Sequence, residues 1–261
     1  MNIDFTKKNA LVCGSTAGIG KETAMLLAKL GATVTLVARN EEKLKNTLSE
    51  LSKEHHQKHD YLTADFTNPD DLKAKVNEAV KKKTYHILLN NTGGPKGGPV
   101  ISAGTEEFTN AFSMHVVCNQ ILAQALTPGM KDAGFGRIIN VISTSVKQPI
   151  DNLGVSNTIR GAVASWSKTM ANELGQFGIT VNNVLPGFTA TGRLDEVISN
   201  RVKQTGKSAE EISEMMQNTV PAKRFGRPEE VANAIVFLAS EAAGYINGVN
   251  LPVDGGRTKS L

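Results

Sequence analysis

Seven short runs rich in β-branched and apolar residues alternate with longer amphipathic stretches, and this alternation constrains the fold more than any other feature. The runs are ALVC (10–13), TVTLVA (33–38), YLTA (61–64), HILLN (86–90), RIINVI (137–142), TVNNVL (180–185) and VNLPV (249–253). Segments between them, such as GKETAMLLAKLG and PEEVANAIVFLAS, carry apolar residues three and four apart, the period of a helix with one buried face. Repeated strand–helix–strand units imply an α/β protein: a parallel, doubly wound sheet of about seven strands with helices on both faces.

No linker, low-complexity tract or internal repeat interrupts the chain, so residues 1–261 read as one domain. Residues 190–220, ATGRLDEVISNRVKQTGKSAEEISEMMQNTV, differ in texture. They are polar, read as two helical pieces broken at Gly206, and follow the turn PGF. An insertion of that kind after a late strand is a candidate substrate lid.

With 40% hydrophobic and 21% charged residues, disorder and fibrous repeats are excluded. The formal charge of +4 is small and no basic stripe is interleaved with aromatics. Nucleic acid is therefore not expected as a partner, and an anionic cofactor or substrate explains the surplus as well. Cys13 and Cys118 sit in apolar contexts and read as buried thiols in a reducing compartment. No apolar run approaches the ~18 residues of a membrane span, and MNIDFTKKNALVCG lacks a signal-peptide core. A cytoplasmic protein with no membrane partner is expected.

The first run leads into CGSTAGIGKETAMLLAKLG, where Gly14, Gly18 and Gly20 bracket the entry to a helix. Glycine permits positive φ and close backbone approach, and the free N–H groups of a helix start attract a pyrophosphate. Placed between a first strand and a first helix, this loop points to a single-domain NAD(P)-binding Rossmann fold, with Gly14, Ser15, Thr16, Gly18, Ile19 and Gly20 as cofactor-binding candidates. The second strand ends in Arg39 and Asn40. An acidic residue there would bind ribose hydroxyls, whereas arginine suits a 2′-phosphate, so NADP(H) is expected over NAD(H).

The glycine spacing, ADF at 64–66, NNTG at 90–93, PGFTATG at 186–192 and the tail RFGRPEEVANAIVFLASEAAGYINGVNLPVDGG together resemble the short-chain dehydrogenase/reductase family, and within it the 3-oxoacyl-carrier-protein reductases. The resemblance spans essentially the whole chain. It implies cofactor contacts from Asp65 and Phe66, from Asn91, Thr92 and Gly93, and from Pro186, Gly187 and Thr189. It also implies a homodimer or homotetramer assembled through two long helices at about 106–131 and 152–177.

Members of that family work with Asn, Ser, Tyr and Lys. Here Ser143 follows RIINVI, but Ser156 stands thirteen residues on where Tyr is expected, Arg160 replaces Lys four residues later, and His115 replaces Asn. A phenol of pKa about 10, lowered by a neighbouring ammonium, can protonate a carbonyl oxygen as hydride arrives, whereas a serine hydroxyl is a far weaker acid. Arg160 stays charged and stabilises an anion. His115 is the nearby group whose ordinary pKa suits proton exchange; its alternative reading is a structural replacement for the asparagine.

Lys96, in the glycine-rich TGGPKGGP (92–99), and Lys147 join Arg160 as candidates to surround an anionic group, with solvated loop lysines as the alternative. His55, His56 and His59 have helix-compatible spacing but no acidic partner, and read as a solvated helix end; no metal is expected. The expected activity is an NADPH-dependent carbonyl reductase or alcohol dehydrogenase with an atypical site, acting on a small-molecule or acyl-carrier-bound carbonyl. The alternative is an NADP(H)-binding protein of this fold that has lost the chemistry and serves as a sensor or partner subunit.

Overall fold

The computed structural model describes residues 3–260. Every expected run is a strand, displaced by at most one residue at either end: β1 (Asn9–Cys13), β2 (Thr33–Ala38), β3 (Asp60–Thr63), β4 (Ile87–Asn90), β5 (Gly136–Val141), β6 (Ile179–Pro186) and β7 (Asn250–Val253). They form one parallel sheet in the order β3-β2-β1-β4-β5-β6-β7. Because β1 pairs with both β2 and β4, the winding reverses there, and a crevice opens beyond the carboxyl ends of those two strands.

Helices cover both faces. On one, α1 (Gly18–Lys29), α2 (Glu41–Glu50) and α9 (Pro228–Ala239) bury Leu27, Leu44 and Ile235 against Val12, Leu36 and Leu89. On the other, α3 (Pro69–Lys82), α5 (Cys118–Asp132) and α6 (Gly154–Leu174) bury Leu72, Leu122 and Leu174 against Leu11, Leu88 and Val181. Cys13 and Cys118 lie in this second layer as free, buried thiols.

Four asparagines cross the sheet in direct register: Asn90 on β4, Asn140 on β5, Asn183 on β6 and Asn250 on β7. Asn90 donates to Asn140 at 2.8 Å, Asn140 to Asn183 at 2.9 Å and Asn183 to Asn250 at 2.8 Å, with Ser167 of α6 bonded to both central members. A buried amide needs partners or it costs free energy; here the amides supply most of them to one another, just beneath the loops that leave the sheet, and Asn90 Oδ1 alone in the ladder is buried with no partner among the described residues.

The helix expected at about 106–131 is interrupted. It is α4 (Thr105–Phe112) and α5, joined by a π turn over Ser113–Val117 that carries His115. Such turns are rare inside helices and recur at functional positions. The region 190–220 is α7 (Gly192–Thr205) and α8 (Ala209–Asn218), parted at Gly206, whose φ of 71° only glycine adopts freely. These two helices pack Leu194, Ile212 and Met216 against Phe188 and Phe225, a cluster separate from the sheet's core.

Two histidines serve the fold. The amide of Asn9 donates to His86 Nδ1 at 3.0 Å and that of Val34 to His59 Nδ1 at 3.0 Å, so these rings satisfy the first N–H groups of the sheet. The solvated helix end expected at 55–59 is corrected in part: α2 stops at Glu50, and His59 is half-buried, held also by the Ser52 carbonyl at 2.8 Å. Among the described residues no group of three potential ligands is placed to hold a metal.

Candidate active site

The glycine turn closes over the crevice because side chains do not fit in it. Gly14 has φ of 60°, and a Cβ there would lie 2.6 Å from Asn91 Nδ2; a Cβ on Gly20 would collide with the Gly14 carbonyl oxygen. Ala17 precedes α1 and offers no side chain to its first N–H groups. In contrast, Asn40 and Asn68 cap α2 and α3. Bare N–H groups beside a tight glycine turn fit a pyrophosphate.

The side chains of several expected contact residues also hold the fold together. Ser15 is wholly buried and donates to the Val37 carbonyl at 3.3 Å, so its hydroxyl fastens the loop to β2. The side-chain oxygen of Asn40 accepts from Lys43 N–H at 2.9 Å as the α2 cap. The Asn91 amide donates to the carbonyls of Cys13 and Gly14 at 3.3 and 3.4 Å and so shapes the glycine turn. Ile19 and Phe66 are half-buried and pack on the core, whereas Thr16 and Thr92 are half-buried on the loops themselves.

Arg39 is exposed at the end of β2. It lies close to Asp65, whose carboxyl is held below the usual range by the Thr67 N–H first and by the arginine's charge as well. On the far side, Gly187 donates to the Val253 carbonyl at 2.9 Å, and a Cβ there would meet Asp254 at 2.7 Å. Thr189 bonds back to the Gly187 carbonyl at 3.2 Å, and Thr191 Cγ2 lies 3.0 Å from where a Gly18 Cβ would be. The turn after Pro186 therefore meets the glycine loop across the crevice.

At the carboxyl end of β5, Ser143 Oγ accepts from Ser145 N–H at 3.1 Å, which leaves the hydroxyl proton free to donate. Helix α6 packs against that turn and brings Ser156, half-buried in its first turn, and Arg160 one turn later. Arg160 is 8% exposed and donates to the Val141 carbonyl at 3.2 Å. Burial and the charge of Arg193 lower its pKa to about 10, still charged at neutrality.

His115 is 2% exposed. Burial and the neighbouring Arg160 charge push its pKa down to about 3, against a hydrogen bond to the Gly93 backbone that raises it. The imidazole is thus neutral at pH 7, and its N–H is shared with the loop after β4. A ring in that state has no extra proton to give, which weighs against the proton-exchange reading and for the structural one.

Lys96 is exposed on the glycine-rich loop. Lys147 is half-buried, and its carbonyl accepts from Ser260 Oγ at 3.4 Å, so the C-terminal tail lies on this segment. The cation closest in influence to Arg160 is one that sequence reasoning passed over. Arg193, in the first turn of α7, donates to the Pro95 carbonyl at 3.2 Å and to Glu196 at 2.9 Å. Its only signal in the sequence was its place directly after PGFTATG.

Residues 14–258 match the family model described as Enoyl-(Acyl carrier protein) reductase. The chain belongs to the short-chain dehydrogenase/reductase family. It is 32% identical to the 3-oxoacyl-[acyl-carrier-protein] reductase FabG of Rickettsia bellii, over 97% of this chain and 98% of that protein. It is 29% identical to the NADPH-dependent reductase BacG of Bacillus subtilis, over 98% of this chain and 100% of that one. Among solved structures, L-sorbose reductase from Gluconobacter frateurii, complexed with NADPH and L-sorbose, superposes with a TM-score of 0.93 at 32% identity, covering 100% of both chains. This family is one of oxidoreductases, and the seven-stranded sheet with its glycine loop is the frame they share. Among the described residues, no helix is long and apolar enough to cross a membrane.

Proposed function

We propose that this protein is an NADPH-dependent carbonyl reductase in which charge at Arg160, rather than a phenol, carries the chemistry. The observation that supports this reading is a guanidinium 8% exposed at the carboxyl end of β5, bonded to the Val141 carbonyl and standing next to the Ser143 turn. Bound NADPH would supply a hydride to the carbonyl carbon. The glycine turn and the bare start of α1 would hold its pyrophosphate, and Arg39 a 2′-phosphate.

Ser143, already accepting from Ser145, would donate to the carbonyl oxygen, joined by the Ser156 hydroxyl. Arg160 would stabilise the oxyanion that develops, and water would supply the proton. A preorganised donor of this kind contributes about 10²–10³ in rate, comparable to the roughly 10²–10⁴ lost with a general acid. Positioning alone accounts for about 7–11 kcal/mol of such barriers. Turnover therefore survives the replacement of Tyr and Lys. His115 would act as a positioning residue that fixes Gly93 and the loop above the site, while α7 and α8 form the lid over the substrate.

The test is loss of NADPH absorbance with a panel of ketones, aldehydes and acyl thioesters, small or carrier-bound. Turnover of at least one class, depressed by Ser143→Ala, is expected. NADPH binding with no turnover across the panel would remove the reductase reading in favour of a binding or partner subunit.

A further inference from the structure

Among the described residues two arginines are buried, and they differ in how their donors are used. Arg137, 4% exposed, donates to the carbonyls of Ser240, Gly136 and Gly178 and stacks 4.2 Å from the Phe135 ring centre. Arg160, 8% exposed, gives one of its five N–H donors to Val141, and among the described residues no carboxylate pairs with it. A buried guanidinium without a carboxylate is costly unless something else satisfies it. The charges near it are of the wrong sign, since Arg193 reaches over from α7 and tethers itself to the Pro95 carbonyl. Among the described residues the one carboxylate paired with Arg193 is Glu196, at the surface, where such pairs are worth little.

The glycine-rich loop passes directly over Arg160. A Cβ on Gly94 would lie 3.6 Å from Arg160 Nη2, in ordinary contact, so the loop's backbone comes close to the guanidinium. The loop is fixed on both sides. Gly98 exchanges backbone hydrogen bonds with Asn152 and Gly154 at 2.7 and 3.0 Å, and Arg193 holds Pro95.

We propose that Arg160 is the floor and Arg193 the rim of a carboxylate-binding subsite, and that the substrate is a 2-oxo acid. A carboxylate accepts two parallel N–H bonds from a guanidinium fork. In a 2-oxo acid the carbonyl oxygen lies next to the carboxylate, so one guanidinium serves both. In the reaction, hydride forms the new C–H bond at the carbonyl carbon, the C=O π pair goes to oxygen, and a proton from water completes the 2-hydroxy acid; NADPH is oxidised to NADP⁺. This inference rests on the reductase reading for its substrate, but the anion subsite can be tested apart from it.

The experiment compares kcat/KM for 2-oxobutanoate and its methyl ester, alongside titration of oxamate and of neutral oxamide into the NADPH complex. The acid should be preferred by about tenfold to a hundredfold, the range of hydrogen bonds to charged groups. Arg160→Gln should bring the ratio near unity, Arg160→Lys should leave an intermediate ratio, and Arg193→Ala should narrow it. If Arg160→Gln does not fold, the Arg193→Ala ratio and the wild-type oxamate titration decide. An ester turned over as well as the acid, equal binding of oxamate and oxamide, or preference for a phosphorylated ketone over both would overturn the subsite. Oxamate binding without turnover of any carbonyl sinks only the reductase reading.

Discussion

Asn140 on β5 donates its side-chain amide to Asn183 on β6 at 2.9 Å, and the same residue accepts from Asn90 at 2.8 Å. These bonds lie where the loops that form the site leave the sheet. Replacing Asn140 by Ala leaves the buried Asn90 amide without its acceptor and takes one of two bonds from Asn183 Oδ1 and from Ser167 Oγ, which keep the bond between them. We expect a loss of about 2–3 kcal/mol, measured by urea unfolding, with weaker NADPH binding because Asn90 precedes the loop at 91–93. A fully stable Asn140→Ala protein would show that the ladder contributes little.

Gly14→Ala should abolish most cofactor binding. Its φ of 60° is strained for alanine, and the added methyl would press on the Asn91 amide at 2.6 Å. Binding followed by NADPH fluorescence is the measurement, with circular dichroism to show that the sheet persists.

Arg39→Asp should reverse cofactor choice. Exposed beside Asp65, Arg39 offers its charge to a 2′-phosphate, and a carboxylate would repel that group while accepting from ribose hydroxyls. A shift of about tenfold or more in the ratio of NADPH to NADH affinity is expected; an unchanged ratio would remove Arg39 as the discriminator.

Acid should destabilise the fold through its histidines. Burial lowers the pKa of His59 and His86 below 6.5 and that of His115 to about 3. Above 6.5 both folded and unfolded rings are neutral. Between 6.5 and the folded values the unfolded chain binds more protons, so stability falls as pH drops through that window. Tm measured from pH 7.5 to 5 should decline, and His86→Gln, which keeps an acceptor for Asn9, should flatten the slope.

The strands were legible because runs such as TVTLVA have the period and composition of buried parallel strands, which few other structures accommodate. The glycine turn was legible for a related reason: Gly14 and Gly20 sit where no Cβ fits. What escaped were features that depend on register. Nothing local marks Asn90, Asn140, Asn183 and Asn250 as partners, since each is a polar residue within a largely apolar run and Asn183 has an identical neighbour in Asn182. The π turn at His115 and the embrace of Arg160 and Arg193 by the loop at 92–99 depend on elements far apart in sequence. The side-chain bonds of Ser15 and Asn40 to the backbone were also hidden, because a hydroxyl or amide near a cofactor loop looks the same in sequence whether it faces a ligand or the backbone.

The helical excursion of α7 and α8 leaves and rejoins the body at one clasp, where Ala190 N–H donates to the Gly226 carbonyl and Gly226 N–H to the Phe188 carbonyl, both at 2.8 Å. With its own apolar cluster and neighbouring endpoints, this segment is an interchangeable part. Its length and sequence can drift, or be swapped by an engineer, while the sheet and cofactor cradle stay as they are, so new specificities can arise on this scaffold without refounding it.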